Sequence, residues 1–318
     1  MKKFLLKTLL LLLIVFLFYG FIFVAKPARA FGANYVRVSS PQYSSLILGS
    51  SSAARGLSPA IVQQSLEDYY QFPMMNFSFD IGTSAVGEIY LNRIAEKLKE
   101  NKNKNSLFLV SVDPYTVCDY AVEEINNNKK REEGGILAQL KSVTNQPNWE
   151  YFFEHIFFTK SFVRFDFDKQ EIGCDEYGFD GSLLDMETDQ EWKVRERIEK
   201  HILPWYKEDV IPNYRFSEER LFYFTKIVNL LKENGDVFLI RMPFEYELFE
   251  ITDSVFPNFD EYMQNFAVEN NVHYISFWDN HSNYKTTDGV HLYKAEAEKI
   301  TRDICDSIKV QIKRTYSQ

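Results

Sequence analysis

Two short blocks near opposite ends of the chain carry residue types that do nucleophilic chemistry together. The first is Gly49-Ser50-Ser51-Ser52, which follows the apolar run Leu46-Ile47-Leu48. A serine on a tight turn between a strand and a helix exposes its hydroxyl, with backbone N–H groups placed to hold negative charge. The second is Asp288-Gly289-Val290-His291. An aspartate three residues before a histidine on one turn can orient the imidazole and stabilise its cation, while the other ring nitrogen takes a serine's proton. The chemistry of such a trio is acyl transfer through an acyl-serine. Of the five histidines, only His291 stands in this context; His155, His201, His273 and His281 read as incidental.

The elements that must position these blocks follow from the apolar pattern. Short apolar runs at 44–49, 74–78, 107–112, 237–240 and 272–277 predict strands. Between them lie helical patterns: one opening at Ser58-Pro59 with Ser58 as N-cap, one over 83–99, one from the N-cap Ser217 to Gly235, and one over 259–269. A terminal helix over 294–309 closes the chain. Alternation of strand and helix predicts an α/β fold on a parallel sheet, where ligands bind beyond the carboxyl ends of the strands. The alternation breaks from Tyr115 to about Asn213, which reads as an insertion in one domain spanning 31–318. Within it Phe152, Phe153, Phe157, Phe158, Phe162 and Phe165 form either a satellite core or a lid over the site.

The order of the blocks resembles the SGNH (GDSL-like) hydrolase superfamily. The resemblance spans Ser44 to Ile308, the insertion excluded. It implies a flavodoxin-like three-layer parallel sheet, with Ser51 as nucleophile and Asp288 and His291 completing a triad. Asn76-Phe77-Ser78-Phe79-Asp80-Ile81-Gly82 is similar to the family's second block, which makes Gly82 the oxyanion glycine beside the Ser51 amide. Two positions depart from the family. Ser50 stands where the family has Asp, and Val110-Ser111-Val112-Asp113 stands where Gly-x-Asn-Asp would supply a side-chain donor. Losing one oxyanion donor costs roughly a hundredfold to a thousandfold in rate. Ser111, Asn76 or a backbone amide are the candidates to replace it.

Relaxed versions of this kind look like membrane-anchored SGNH-like proteins of envelope polysaccharide O-acylation. That resemblance implies an ester hydrolase or acyltransferase acting on O-acyl, in particular acetyl, groups of an extracytoplasmic carbohydrate polymer. It calls for no cofactor and no metal, and offers a membrane O-acyltransferase as a partner. The alternative is a catalytically degenerate fold that binds or assembles an envelope polysaccharide complex. Arg55 and Arg241 are candidate substrate cations, Arg241 because it ends a strand; each could equally pair with one of the 45 acidic residues.

Composition narrows the partners and the place. A net charge of -9 with no basic stripe excludes nucleic acid, whose phosphates need clustered Lys and Arg. Cys118, Cys174 and Cys305 lack metal-ligand spacing and read as small hydrophobes, with a Cys118–Cys174 disulfide open to an exported domain. Lys2, Lys3 and Lys7 precede an uncharged apolar run from Thr8 to Ala25, about 27 Å long as a helix. The segment 1–30 therefore reads as a membrane anchor that leaves the rest of the chain outside the cytoplasm. Ala28-Arg29-Ala30 has the form of a cleavage site, so a secreted product is the second reading.

Overall fold

The computed structural model describes residues 1–25, 27–120, 130–155, 174–181, 184 and 186–315. Five parallel strands form the main sheet: β1 (Ser45–Leu48), β2 (Met74–Asn76), β3 (Ser106–Ser111), β6 (Gly235–Arg241) and β7 (His273–Ser276). Between β3 and β6 in sequence come β4 (Cys118–Tyr120) and β5 (Tyr214–Phe216), an antiparallel pair that joins the two ends of the insertion. The helices used below are α1 (Lys2–Ala25), α2 (Pro27–Ser39), α3 (Ser51–Gly56), α4 (Pro59–Leu66) and α5 (Glu88–Lys97). After the insertion come α6 (Glu218–Lys232), α7 (Tyr246–Val255), α8 (Phe259–Asn270) and α9 (Lys294–Thr315).

Successive strand residues point to opposite faces, and here both faces are apolar, as a sheet buried on two sides requires. Leu46 and Leu48 of β1 join Phe108 and Val110 of β3 and Leu239 of β6 in one core. Tyr90 and Ile94 of α5, Phe224 and Leu231 of α6 and Met263 of α8 cover that face. Ile47, Leu107, Leu109, Phe238 and Ile240 face the other way, under Val62 of α4, Leu248 of α7 and Ile300 and Ile304 of α9. Each of these fully buried aliphatic side chains contributes about 1.5–3 kcal/mol by leaving water. The sheet order is β2-β1-β3-β6-β7. The chain thus winds outward in both directions from β1, leaving a crevice between the carboxyl ends of β1 and β3.

Three elements differ from the sequence expectation. The helix expected over 83–99 starts only at Glu88, because the Asp80 carboxylate takes the N–H groups of Gly82 and Thr83 and holds a turn there. Ahead of β1, where the apolar pattern predicts no element, lies α2, which buries Tyr35 and Val38 against the sheet domain. Arg37 fixes it, donating from Nε and Nη2 to the Gly178 carbonyl at 3.1 and 2.8 Å. The three cysteines are free thiols, so the Cys118–Cys174 disulfide is not formed.

In α1 the apolar side chains Leu9 to Phe18 are exposed all round the helix, with no protein packed on them. Among the described residues no helix is long and apolar enough to cross a membrane; the side chains at 19 and 22–25 of α1 lie outside them. Of the insertion's aromatic run, Phe152 is buried and Phe153 exposed. Phe157, Phe158, Phe162 and Phe165 lie outside the described residues.

Candidate active site

Ser51 is the first residue of α3, directly beyond β1. The chain reverses at Gly49, whose φ of 139° suits glycine alone. A Cβ there would stand 2.7 Å from the Ser111 Cβ of the neighbouring strand, so the close approach of β1 and β3 also requires glycine. Asp288 and His291 lie on the loop between β7 and α9. The fold brings that loop onto α3, and the three side chains meet. His291 Nε2 is 2.8 Å from Ser51 Oγ, and His291 Nδ1 is 2.8 Å from Asp288 Oδ2.

The other Asp288 oxygen, Oδ1, accepts the backbone N–H groups of Val290 and His291 at 3.1 and 2.8 Å. Burial alone would raise the Asp288 carboxyl. The His291 ring and those two N–H donors outweigh it and hold the group below the usual carboxylate range. An ionised Asp288 fixes the proton on Nδ1 and leaves the Nε2 lone pair facing Ser51 Oγ. The His291 and Asp288 side chains keep 18% and 19% of their surface, so a substrate can reach the reacting edge.

Four other residues that the sequence put forward take different places. Asn76 is fully buried, and its amide donates to the carbonyls of Ala53 and Leu57 at 2.9 Å each while its Oδ1 accepts the Ser78 N–H. It ties the end of β2 to α3, and both hydrogens of its amide are used in doing so. Arg241 is 2% exposed, ion-paired to Asp253 and Asp260 and stacked among Phe249, Phe259 and Trp278. Its guanidinium is consumed in that cluster, which corrects its reading as a substrate cation. Arg55 is exposed on α3, one turn beyond Ser51 and on the same side of the helix. Ser111 ends β3 in the crevice, its Oγ 3.5 Å from Ser52 Oγ, longer than an ordinary hydroxyl–hydroxyl bond.

The oxyanion side is where the expectation changes most. The Gly82 N–H, the expected donor, is given to Asp80 Oδ1 at 3.0 Å. A short acceptor two residues upstream competes locally for the amide that the resemblance assigned to substrate. The Ser51 N–H, at the first turn of α3, meets no acceptor among the described residues.

Sequence reasoning missed the residues that brace the loop carrying Asp288 and His291, because they come from distant elements with no motif of their own. Arg197 Nε donates to the Thr287 carbonyl at 2.8 Å, and the Thr287 N–H donates to the His291 carbonyl at 2.7 Å. Asp189 holds Arg197 from the other side and accepts the Tyr293 hydroxyl at 2.7 Å. Glu245 accepts Thr286 Oγ1 at 3.1 Å and gives its own N–H to the Gly289 carbonyl at 2.8 Å. Arg197 and Asp189 belong to the insertion, so that segment clamps the loop carrying Asp288 and His291.

Among the described residues no cluster of His, Cys, Asp and Glu could hold a metal ion. No family model matches the chain, and no curated protein matches it.

Proposed function

We propose that the protein is a serine-dependent esterase or acyltransferase of the SGNH type, working on O-acyl groups of a carbohydrate polymer outside the cytoplasm. The observation that carries the reading is the hydrogen-bonded line Ser51 Oγ–His291–Asp288, with 2.8 Å at each link. Ser51 Oγ attacks the ester carbonyl carbon as its proton passes to His291 Nε2. The tetrahedral intermediate then expels the alcohol, which leaves with the proton from Nε2, and the acyl group stays on Ser51. Water reversing these steps gives hydrolysis; a sugar hydroxyl gives transfer. The free Ser51 N–H is the donor for the oxyanion, and Asp288 stabilises the imidazolium throughout.

The place of action rests on α1, whose apolar surface is exposed on all sides and whose 24 residues extend about 36 Å. A lipid bilayer is the solvent that such a surface suits, with the folded domain beyond it and a membrane O-acyltransferase as partner. The bound state of the Gly82 amide favours a second reading, an SGNH-fold component that holds an envelope glycan without cleaving it. Release of acetate from an aryl acetate by the full-length chain in detergent micelles separates the two. The enzyme reading requires turnover that Ser51→Ala abolishes; turnover retained in Ser51→Ala would move the chemistry elsewhere.

A further inference from the structure

The arginines of this chain are almost all spent on the protein itself. Among the described arginine side chains, every guanidinium but one donates to a protein oxygen, either a side-chain oxygen or a backbone carbonyl. The exception is Arg55, exposed on α3, which makes no hydrogen bond or ion pair among the described residues. It follows Ser51 by four residues, a spacing that sets two helical Cβ atoms about 5–6 Å apart. Helical side chains lean toward the N-terminus, so the surface that Arg55 covers is the turn carrying Ser51. Its neighbours leave its charge unspent. Burial pulls the Arg37 guanidinium below its ordinary value, and the charge of Arg55 adds to that pull against Asp180. Arg37 has no ion pair among the described residues; it donates to the Gly178 carbonyl at 3.1 Å and to Asn34 Oδ1 at 3.2 Å. Asp180 gives its N–H to the Ala54 carbonyl at 2.9 Å, beside Arg55, yet its carboxylate pairs with neither guanidinium.

We infer that Arg55 sets the specificity of the site for an acidic carbohydrate, its guanidinium gripping a carboxylate of the sugar chain while Ser51 meets the ester. The inference rests on the serine-esterase reading and adds to it the charge class of the substrate. In a chain of net charge -9, carboxylates are plentiful. An arginine left without one, a single helical turn from the nucleophile, is free to take its acid from outside. The planar fork of a guanidinium matches the two oxygens of one carboxylate with parallel N–H···O bonds. A phosphate, with more charge and a third oxygen, draws a cluster of arginines instead. Arg241, the other cation that the sequence put forward, is already paired to Asp253 and Asp260, so the recognition falls to Arg55.

The test compares an O-acetylated oligogalacturonide with a neutral O-acetylated xylo-oligosaccharide of equal length, using the full-length chain in detergent micelles. Wild type should favour the acidic ester at least about tenfold in kcat/KM, the scale of one hydrogen bond to a charged group. Arg55→Gln should lower that acidic-to-neutral ratio about tenfold. Arg55→Lys keeps the charge and loses the fork, so its ratio should fall between the two. Lys102→Ala removes an exposed cation from the turn before β3, at the far edge of the sheet, and should leave the ratio at its wild-type value. Equal turnover of the two esters by wild type, or a ratio unchanged in Arg55→Gln, overturns the inference while leaving the esterase reading standing. If only aryl acetate is turned over, unacetylated oligogalacturonide should inhibit that turnover at least about tenfold more strongly than the xylo-oligosaccharide; equal inhibition overturns the inference as well. If no ester is turned over and a fluorophosphonate does not mark Ser51, the esterase reading falls and this inference with it.

Discussion

His291 Nε2 and Ser51 Oγ stand 2.8 Å apart although 240 residues separate them in the chain. On the proposed reading, the proton transfer that activates the serine needs no prior rearrangement at that distance. The opposite edge of the ring is held by Asp288, whose Oδ2 sits 2.8 Å from Nδ1.

Asp288→Asn keeps the shape of that contact and removes its charge. An amide nitrogen facing Nδ1 would favour the wrong tautomer, putting the ring proton between Nε2 and Ser51. The expected result is a loss of kcat toward aryl acetate of about a hundredfold to ten-thousandfold, with circular dichroism unchanged.

Arg197 reaches the loop carrying Asp288 and His291 through Thr287, which makes it a positioning residue on the proposed reading. Arg197→Ala should lower kcat by roughly tenfold to a hundredfold, the scale of a small misplacement of reacting groups. KM for a small aryl ester should hardly move. Arg197→Lys, which can still reach one of the two partners, should recover part of kcat. Equal losses in kcat and in substrate affinity would instead mark Arg197 as a substrate contact.

Asn76→Ala leaves the Ala53 and Leu57 carbonyls buried and unpaired beneath the nucleophile's helix. Destabilisation of about 2–4 kcal/mol is expected from two such orphaned acceptors, read as a lower urea midpoint. A variant of wild-type stability with lost substrate affinity would restore Asn76 as a binding residue.

Asp113 supplies a pH-dependent contribution. Burial pushes its carboxyl up to about 6, against the pull of the Tyr115 and Thr116 N–H groups and of Arg241. Its folded pKa exceeds the unfolded one, so the native state binds the proton more tightly. The contribution is fully present below about pH 4 and is lost as the pH rises through about 6. Asp113→Asn keeps an oxygen to accept the Thr116 N–H but cannot titrate. The difference in urea midpoint between wild type and variant should therefore shift in the variant's favour from pH 4 to pH 7. A constant difference across that range would show that the buried carboxyl does not titrate there.

The meeting of Ser51, His291 and Asp288 was legible in the sequence because each part is local. Gly-x-Ser closes a strand, Asp-x-x-His occupies one turn, and strand polarity forces both to one edge of the sheet. The three-layer architecture was legible for a similar reason, since apolar runs with helical intervals admit few other folds. The oxyanion side was not. Whether the Gly82 amide faces substrate depends on the Asp80 side chain, and a glycine-containing turn reads the same in either state. Arg241 looked available because its acidic partners arrive 12 and 19 residues later on α7 and α8.

The central claim is that Ser51 is an activated nucleophile, and covalent labelling tests it most directly. The full-length chain in detergent micelles is treated with a fluorophosphonate, and the adduct is located by peptide mass spectrometry. The account predicts a single adduct on Ser51, absent from Ser51→Ala and slowed at least about a hundredfold in His291→Ala. An unlabelled wild-type protein, or labelling of Ser51 that proceeds as fast without His291, would contradict it.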